Sequence, residues 1–169
     1  IELYEMGGKV FSNLERISRS KLISLTENIV SILDSNGIKN YPVKFIDSKE
    51  SFGDLDILVF LKDIESLKPL AELFNPQEVN LNYDTLSMNI DNNQVDLIFA
   101  QEKNKDLLFT FYNYSIFGYA IDRMLRDFNL KITTNGLSYI YNGIDTKRAY
   151  FHITDEDRTF EILKLDKSR

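Results

Sequence analysis

Two carboxylates stand two residues apart at the head of a run of aliphatic side chains, in Gly53-Asp54-Leu55-Asp56-Ile57-Leu58-Val59. In an extended strand alternate residues point to one face, about 6.5–7 Å apart along the chain. Asp54 and Asp56 therefore project together, and Leu55 and Ile57 project the other way. A strand this apolar is expected to be buried. Two anions on one face of a buried strand repel each other and lose their hydration, a cost that a divalent cation between them relieves. A third acid stands in Gln94-Val95-Asp96-Leu97-Ile98-Phe99, again near the start of an apolar strand. If the two strands are neighbours, the three carboxylates converge. Such a trio can hold two Mg²⁺ or Mn²⁺ ions about 3.5–4 Å apart, an arrangement suited to in-line phosphoryl displacement.

Composition narrows the chemistry further. The 169 residues suit one domain or two small ones sharing a core. The absence of cysteine excludes disulfides, thiolate zinc sites and a cysteine nucleophile, and it fits a reducing, cytoplasmic setting. His152 is the only histidine, so a metal here must be held by oxygen, which favours hard ions. No apolar run is long enough to span a membrane. Ile1-Glu2-Leu3-Tyr4-Glu5 carries acid and no basic stretch, so no signal peptide is expected. The net charge of −6 is unusual for a protein that grips nucleic acid by charge alone and calls for a local basic patch, or for a small or non-nucleic-acid substrate.

Periodicity predicts an α+β order of helix, mixed sheet, helix, small sheet, helix. Leu22, Leu25, Ile29 and Leu33 mark an amphipathic helix over 20–36, with Ser20 as its cap and Gly37 at its end. Tyr41-Pro42 reads as a break, 43–46 as a short strand, 48–53 as a polar turn and 54–61 as a strand. Asp63 is expected to cap a helix reaching Phe74, with Pro69 inside it. Strands follow over 78–82, 85–90 and 94–100, the last two joined by a turn at 91–93. One long aromatic helix is expected from Asn104 or Asp106 to Phe128. A hairpin around Asn135-Gly136, a strand over 149–153 and a final helix capped by Thr154 complete the chain.

Gly53-Asp54-x-Asp56 followed by aliphatics, with Val95-Asp96-Leu97 about forty residues later, resembles the polymerase beta nucleotidyltransferase superfamily. Asn129-Leu130-Lys131-Ile132 through Asn135-Gly136-Leu137 resembles a hairpin of family X polymerases. Phe151-His152-Ile153-Thr154-Asp155-Glu156-Asp157 with Phe160-Glu161-Ile162-Leu163 resembles their ending. The resemblance covers about residues 20–166. It implies a nucleotidyltransferase palm, a mixed sheet with flanking helices, over 1–103. A small thumb-like α/β part would follow over 104–169. By the same resemblance Asp54 and Asp56 bind both metal ions, and Asp96 binds the catalytic ion and helps deprotonate the attacking hydroxyl. The substrate implied is a nucleoside triphosphate, with nucleic acid as the acceptor partner. Compact phage-encoded nucleotidyltransferases are the nearest likeness.

The sequence also departs from that pattern. Family members carry Gly-Ser at the start of a helix about ten residues before the first acid. Here the nearest match is Asp47-Ser48, only six residues before Asp54. Ser48, Lys49 and Ser51 are the candidate phosphate ligands from a tighter turn. The aromatic-plus-Gly nucleotide gate has no clean match, although Thr110-Phe111 and Asn113 fall near its place. No DNA-end-gripping segment is visible. Two other functions therefore compete with transfer to nucleic acid. One is nucleotidylation of a protein, tRNA or small-molecule acceptor. The other is a non-catalytic module with an altered phosphate loop. Phe109, Phe111, Tyr112, Tyr114, Phe117 and Tyr119 are expected mostly in the core, with Tyr112 or Tyr114 available to stack on a base. Arg123, Arg126 and Lys131, with Lys147 and Arg148, form a basic group that Asp122 and Asp127 can balance. His152 is expected to be structural.

Overall fold

A computed structural model describes residues 10–45, 48–113, 115–142 and 147–165. The chain divides into two compact units, Ile1–Phe99 and Ala100–Arg169. No helix among the described residues is long and apolar enough to cross a membrane.

The first unit opens with β1 (Ile17–Ser18) and α1 (Arg19–Ser35). The helix starts one residue before the expected Ser20. Its cap is Ser18, whose side chain accepts a hydrogen bond from the Lys21 amide at 3.4 Å. Leu22, Ile29 and Leu33 form its buried stripe. Gly37 follows the helix at φ +69°, a left-handed conformation that closes it cheaply.

A mixed five-stranded sheet follows. It is built from β2 (Asn40–Pro42), β4 (Asp54–Phe60), β5 (Glu78–Asn82), β6 (Thr85–Ile90) and β7 (Asn93–Ala100), in the spatial order β2-β4-β7-β6-β5. The expected break at Tyr41-Pro42 is instead the strand β2, which pairs Tyr41 with Leu58 and Pro42 with Ile57. Proline is tolerated there because β2 lies at the sheet edge. Of the strand expected over 43–46, Val43 only donates from its amide to the Asp56 carbonyl at 2.9 Å, and residue 46 lies outside the described residues.

The turn expected over 48–53 contains β3 (Ser51–Phe52), which pairs antiparallel with β1 in a two-stranded sheet of its own. Between β4 and β5 the chain forms two short 3-10 helices, Ile64–Ser66 and Lys68–Leu73, rather than one α-helix. Asp63 caps the first, and Pro69 sits in the opening turn of the second, where its missing N–H costs nothing. Asp91 and Asn92, at φ 51° and 62°, make the two-residue turn that joins β6 to β7.

The sheet's two faces differ. Leu55, Ile57, Val59, Leu86, Met88, Val95, Leu97 and Phe99 pack with the α1 stripe into one core. Each fully buried aliphatic side chain contributes roughly 1.5–3 kcal/mol, so this face dominates the unit's stability. The residues between them belong to the opposite face.

In the second unit the expected long helix is two helices, α2 (Lys105–Asn113) and α3 (Ser115–Arg126). They pack closely enough that a Cβ on Gly118 would come within 2.6 Å of the Phe111 carbonyl oxygen. A continuous helix would hold residues seven apart more than a turn from one another, so the bend explains the contact. A three-stranded sheet follows, in the order β10-β9-β8, from β8 (Leu130–Thr133), β9 (Gly136–Asn142) and β10 (Lys147–Ile153). The last helix, α4 (Glu156–Leu163), is capped by Asp155 and not by Thr154; the Asp155 carboxylate accepts from the Arg158 amide at 2.6 Å. Ile121, Leu125, Ile132 and Leu137 form this unit's core.

Candidate metal centre

Strand alternation creates the site. Asp54 and Asp56 leave β4 on the face opposite Leu55 and Ile57, and Asp96 leaves β7 on the face opposite Val95 and Leu97. Because β4 and β7 are neighbours, one oxygen from each carboxylate lies within 4.8 Å of the others. Asp96 is the one half-buried position in a strand whose other seven residues are all buried. Asp54 and Asp56 are half-buried too.

The electrostatics follow from that crowding. Burial pushes the Asp56 carboxyl well above its ordinary range, and the charges of Asp54 and Asp96 push it further. Burial also raises Asp54, against the pull of Lys49 and then Arg16. Asp96 is raised chiefly by burial, while hydrogen bonds from Ser87 and Gln94 oppose the shift. Ser87 lies directly across from Asp96 in the β6–β7 ladder. Gln94 Nε2 donates to both Asp96 oxygens, at 3.2 and 3.0 Å, and its own Oε1 accepts from the Val10 amide at 3.4 Å. The centre is thus three hard oxygen donors of like charge, one of them oriented by two neutral donors. Such a set suits Mg²⁺ or Mn²⁺, which take carboxylate oxygen and relieve the repulsion.

The three phosphate candidates are placed differently. Ser48 is exposed in a turn. Lys49 is exposed, with Nζ 5.5 Å from the centroid of the Phe52 ring. Ser51 is half-buried in β3, and both its oxygens accept from Arg16: Nε donates to Oγ and Nη2 to the carbonyl, each at 3.0 Å. Arg16 and Gln94 are the residues that sequence reasoning missed. Gln94 was open to detection, because it lies two residues before Asp96 and shares its face. Arg16 reaches the site only through the pairing of β1 with β3, which leaves no local signal.

The remaining candidates sit in the second unit. Phe109, Phe111 and Tyr112 are half-buried; the side chains of Tyr114, Phe117 and Tyr119 lie outside the described residues. Arg126 is bound to Asp122 at 2.6 Å, so part of the basic group is neutralised locally. The side chains of Lys147 and Arg148 lie outside the described residues. His152 is exposed and its Nδ1 lies 2.7 Å from Ser138 Oγ, a cross-strand pair between β10 and β9.

Compared with known proteins, the chain matches no family model, and no curated protein matches it.

Proposed function

We propose that this chain is a metal-dependent nucleotidyltransferase of the polymerase beta type. It moves a nucleoside monophosphate from a ribo- or deoxyribonucleoside triphosphate to a hydroxyl of a nucleic acid. One observation carries the reading: carboxylate oxygens of Asp54, Asp56 and Asp96, from two neighbouring strands, meet within 4.8 Å on a face that solvent reaches. The palm and thumb-like parts, and a cytoplasmic place of work, belong to the same proposal.

Divalent ions, when bound, would be held by the carboxylates of Asp54, Asp56 and Asp96. When bound, the ions supply Lewis-acid activation of the acceptor hydroxyl and neutralise the charge of the leaving pyrophosphate. The residues of the chain do the rest. In this reading Asp96, which accepts hydrogen bonds from Gln94 and Ser87, takes up the proton of the acceptor hydroxyl. The acceptor oxygen then bonds to the α-phosphorus, the bond from that phosphorus to the bridging oxygen breaks, and pyrophosphate leaves. Ser48, Lys49 and Ser51 are the candidate contacts for the β- and γ-phosphates.

The test is pyrophosphate release with Mg²⁺ or Mn²⁺, each triphosphate, and in turn a primer–template, single-stranded DNA, RNA and tRNA. Extension that falls on the order of 10³-fold in Asp96→Asn, the loss expected when several kcal/mol of transition-state charge stabilisation go, supports the reading. Asp96→Asn turning over at the wild-type rate rejects the assignment of the third acid.

A further inference from the structure

We infer that Arg16, tethered to Ser51 and acting with Lys49, is the principal ligand for the polyphosphate of the substrate, in place of a helix-borne serine. The inference rests on the nucleotidyl-transfer reading for the identity of the polyphosphate. Its own support is geometric. The short segment before α1 is pinned to the strand that leads into the acids: Ile17 pairs with Phe52 and Ser18 with Ser51, and the Arg19 amide donates to the Glu50 carbonyl at 3.2 Å. That pairing carries Arg16 to the entrance of β4. There Nε and Nη2 both reach Ser51, so the planar guanidinium is held at two points. A fork fixed in this way loses little entropy when it meets an anion, and its geometry matches phosphate oxygens.

Charge points the same way. Arg16, bound to Ser51, and Lys49, two residues before it, put two cations on the segment that leads into β4. The N-terminal end of the 17-residue α1 lies beside it, since its cap Ser18 is the residue paired with Ser51. The positive end of the helix dipole favours anions in that place. Ser51 therefore acts as a positioning residue: its oxygens aim Arg16.

Binding of inorganic tripolyphosphate in the presence of Mn²⁺ tests this, with Mn²⁺ binding measured separately. Arg16→Ala is expected to weaken tripolyphosphate roughly tenfold to a hundredfold, the worth of a charge-assisted contact, while Mn²⁺ binding stays as in wild type. Arg16→Lys, which keeps the charge and loses the fork, should fall between, and covers the case in which the alanine variant folds poorly. Ser51→Ala should cost a few-fold through a less well held guanidinium. Tripolyphosphate binding that is the same in Arg16→Ala and wild type overturns the inference; continued triphosphate turnover in that variant would then leave the nucleotidyl-transfer reading standing. Wild type that binds Mn²⁺ but no tripolyphosphate overturns both.

Discussion

The two units of this chain bury polar groups to opposite ends. Among the described residues of the second unit, Asn104, Asp122, Ser138 and Thr159 each make a bond that serves the fold, although Asn104 Oδ1 and Asp122 Oδ1 have no partner. Asn104 donates to the Thr134 carbonyl at 2.7 Å, Asp122 binds Arg126, Ser138 meets His152, and Thr159 donates to the Asp155 carbonyl at 2.8 Å. In the first unit Asp54, Asp56 and Asp96 are crowded against one another, with burial raising all three. Arg16 and Lys49 attend only the outer one, and Asp56 at the centre is surrounded by like charge. A fold gains nothing from such a trio. The contrast separates polar groups that hold a structure together from an acidic cluster that could hold a metal ion.

That contrast can be attacked from either side. The largest effect on stability is expected at Gly136, in the structural unit. Its φ is +109°, and a Cβ there would lie 2.2 Å from the Ile153 carbonyl oxygen. Gly136→Ala should cost about 3 kcal/mol or more in a denaturant titration, because strain and overpacking add. Mn²⁺ binding by any folded fraction should be unchanged.

Next comes Asp56→Asn, which should behave in the reverse way. A carboxyl raised in the folded state binds more protons there than in the unfolded chain. Stability therefore falls as pH rises through the interval between the two values. Metal-free wild type should lose melting temperature across that interval relative to Asp56→Asn, and saturating Mn²⁺ should remove the difference. A variant less stable than wild type at neutral pH without metal would mean that Asp56 serves the fold.

The smallest effect concerns a cap. Asp155→Ala should cost about 1 kcal/mol of stability, whereas Thr154→Ala should change it little, since the Asp155 carboxylate receives the Arg158 amide.

Much of the first unit was legible because its signals are local. The ranges of β5 and β6 follow from alternation and turn residues alone, and Asp63 announces its own cap. The neighbouring acids of β4 needed only the two-residue period of a strand. What escaped was decided by distant contacts. Pro42 can join a sheet only because β2 is at its edge, which a local reading does not reveal. The helix over 105–126 is split although its periodicity continues, and Gly118 against Phe111 marks the bend afterwards rather than predicting it. Nothing local in the sequence marks Arg16, which meets Ser51 because two residues of β1 pair with two of β3. The caps of α1 and α4 lie a residue or two from the expected ones because serine, threonine and aspartate cluster at both helix starts and all can serve.

The central claim is that Asp54, Asp56 and Asp96 together hold divalent metal. Titration of the protein with Mn²⁺, followed by the loss of the free-ion electron paramagnetic resonance signal, tests it most directly. Saturable binding in wild type that is severely weakened in both Asp56→Asn and Asp96→Asn, with each variant still folded, is the result expected. Binding that survives in both variants, or is missing from the folded wild type, would contradict it.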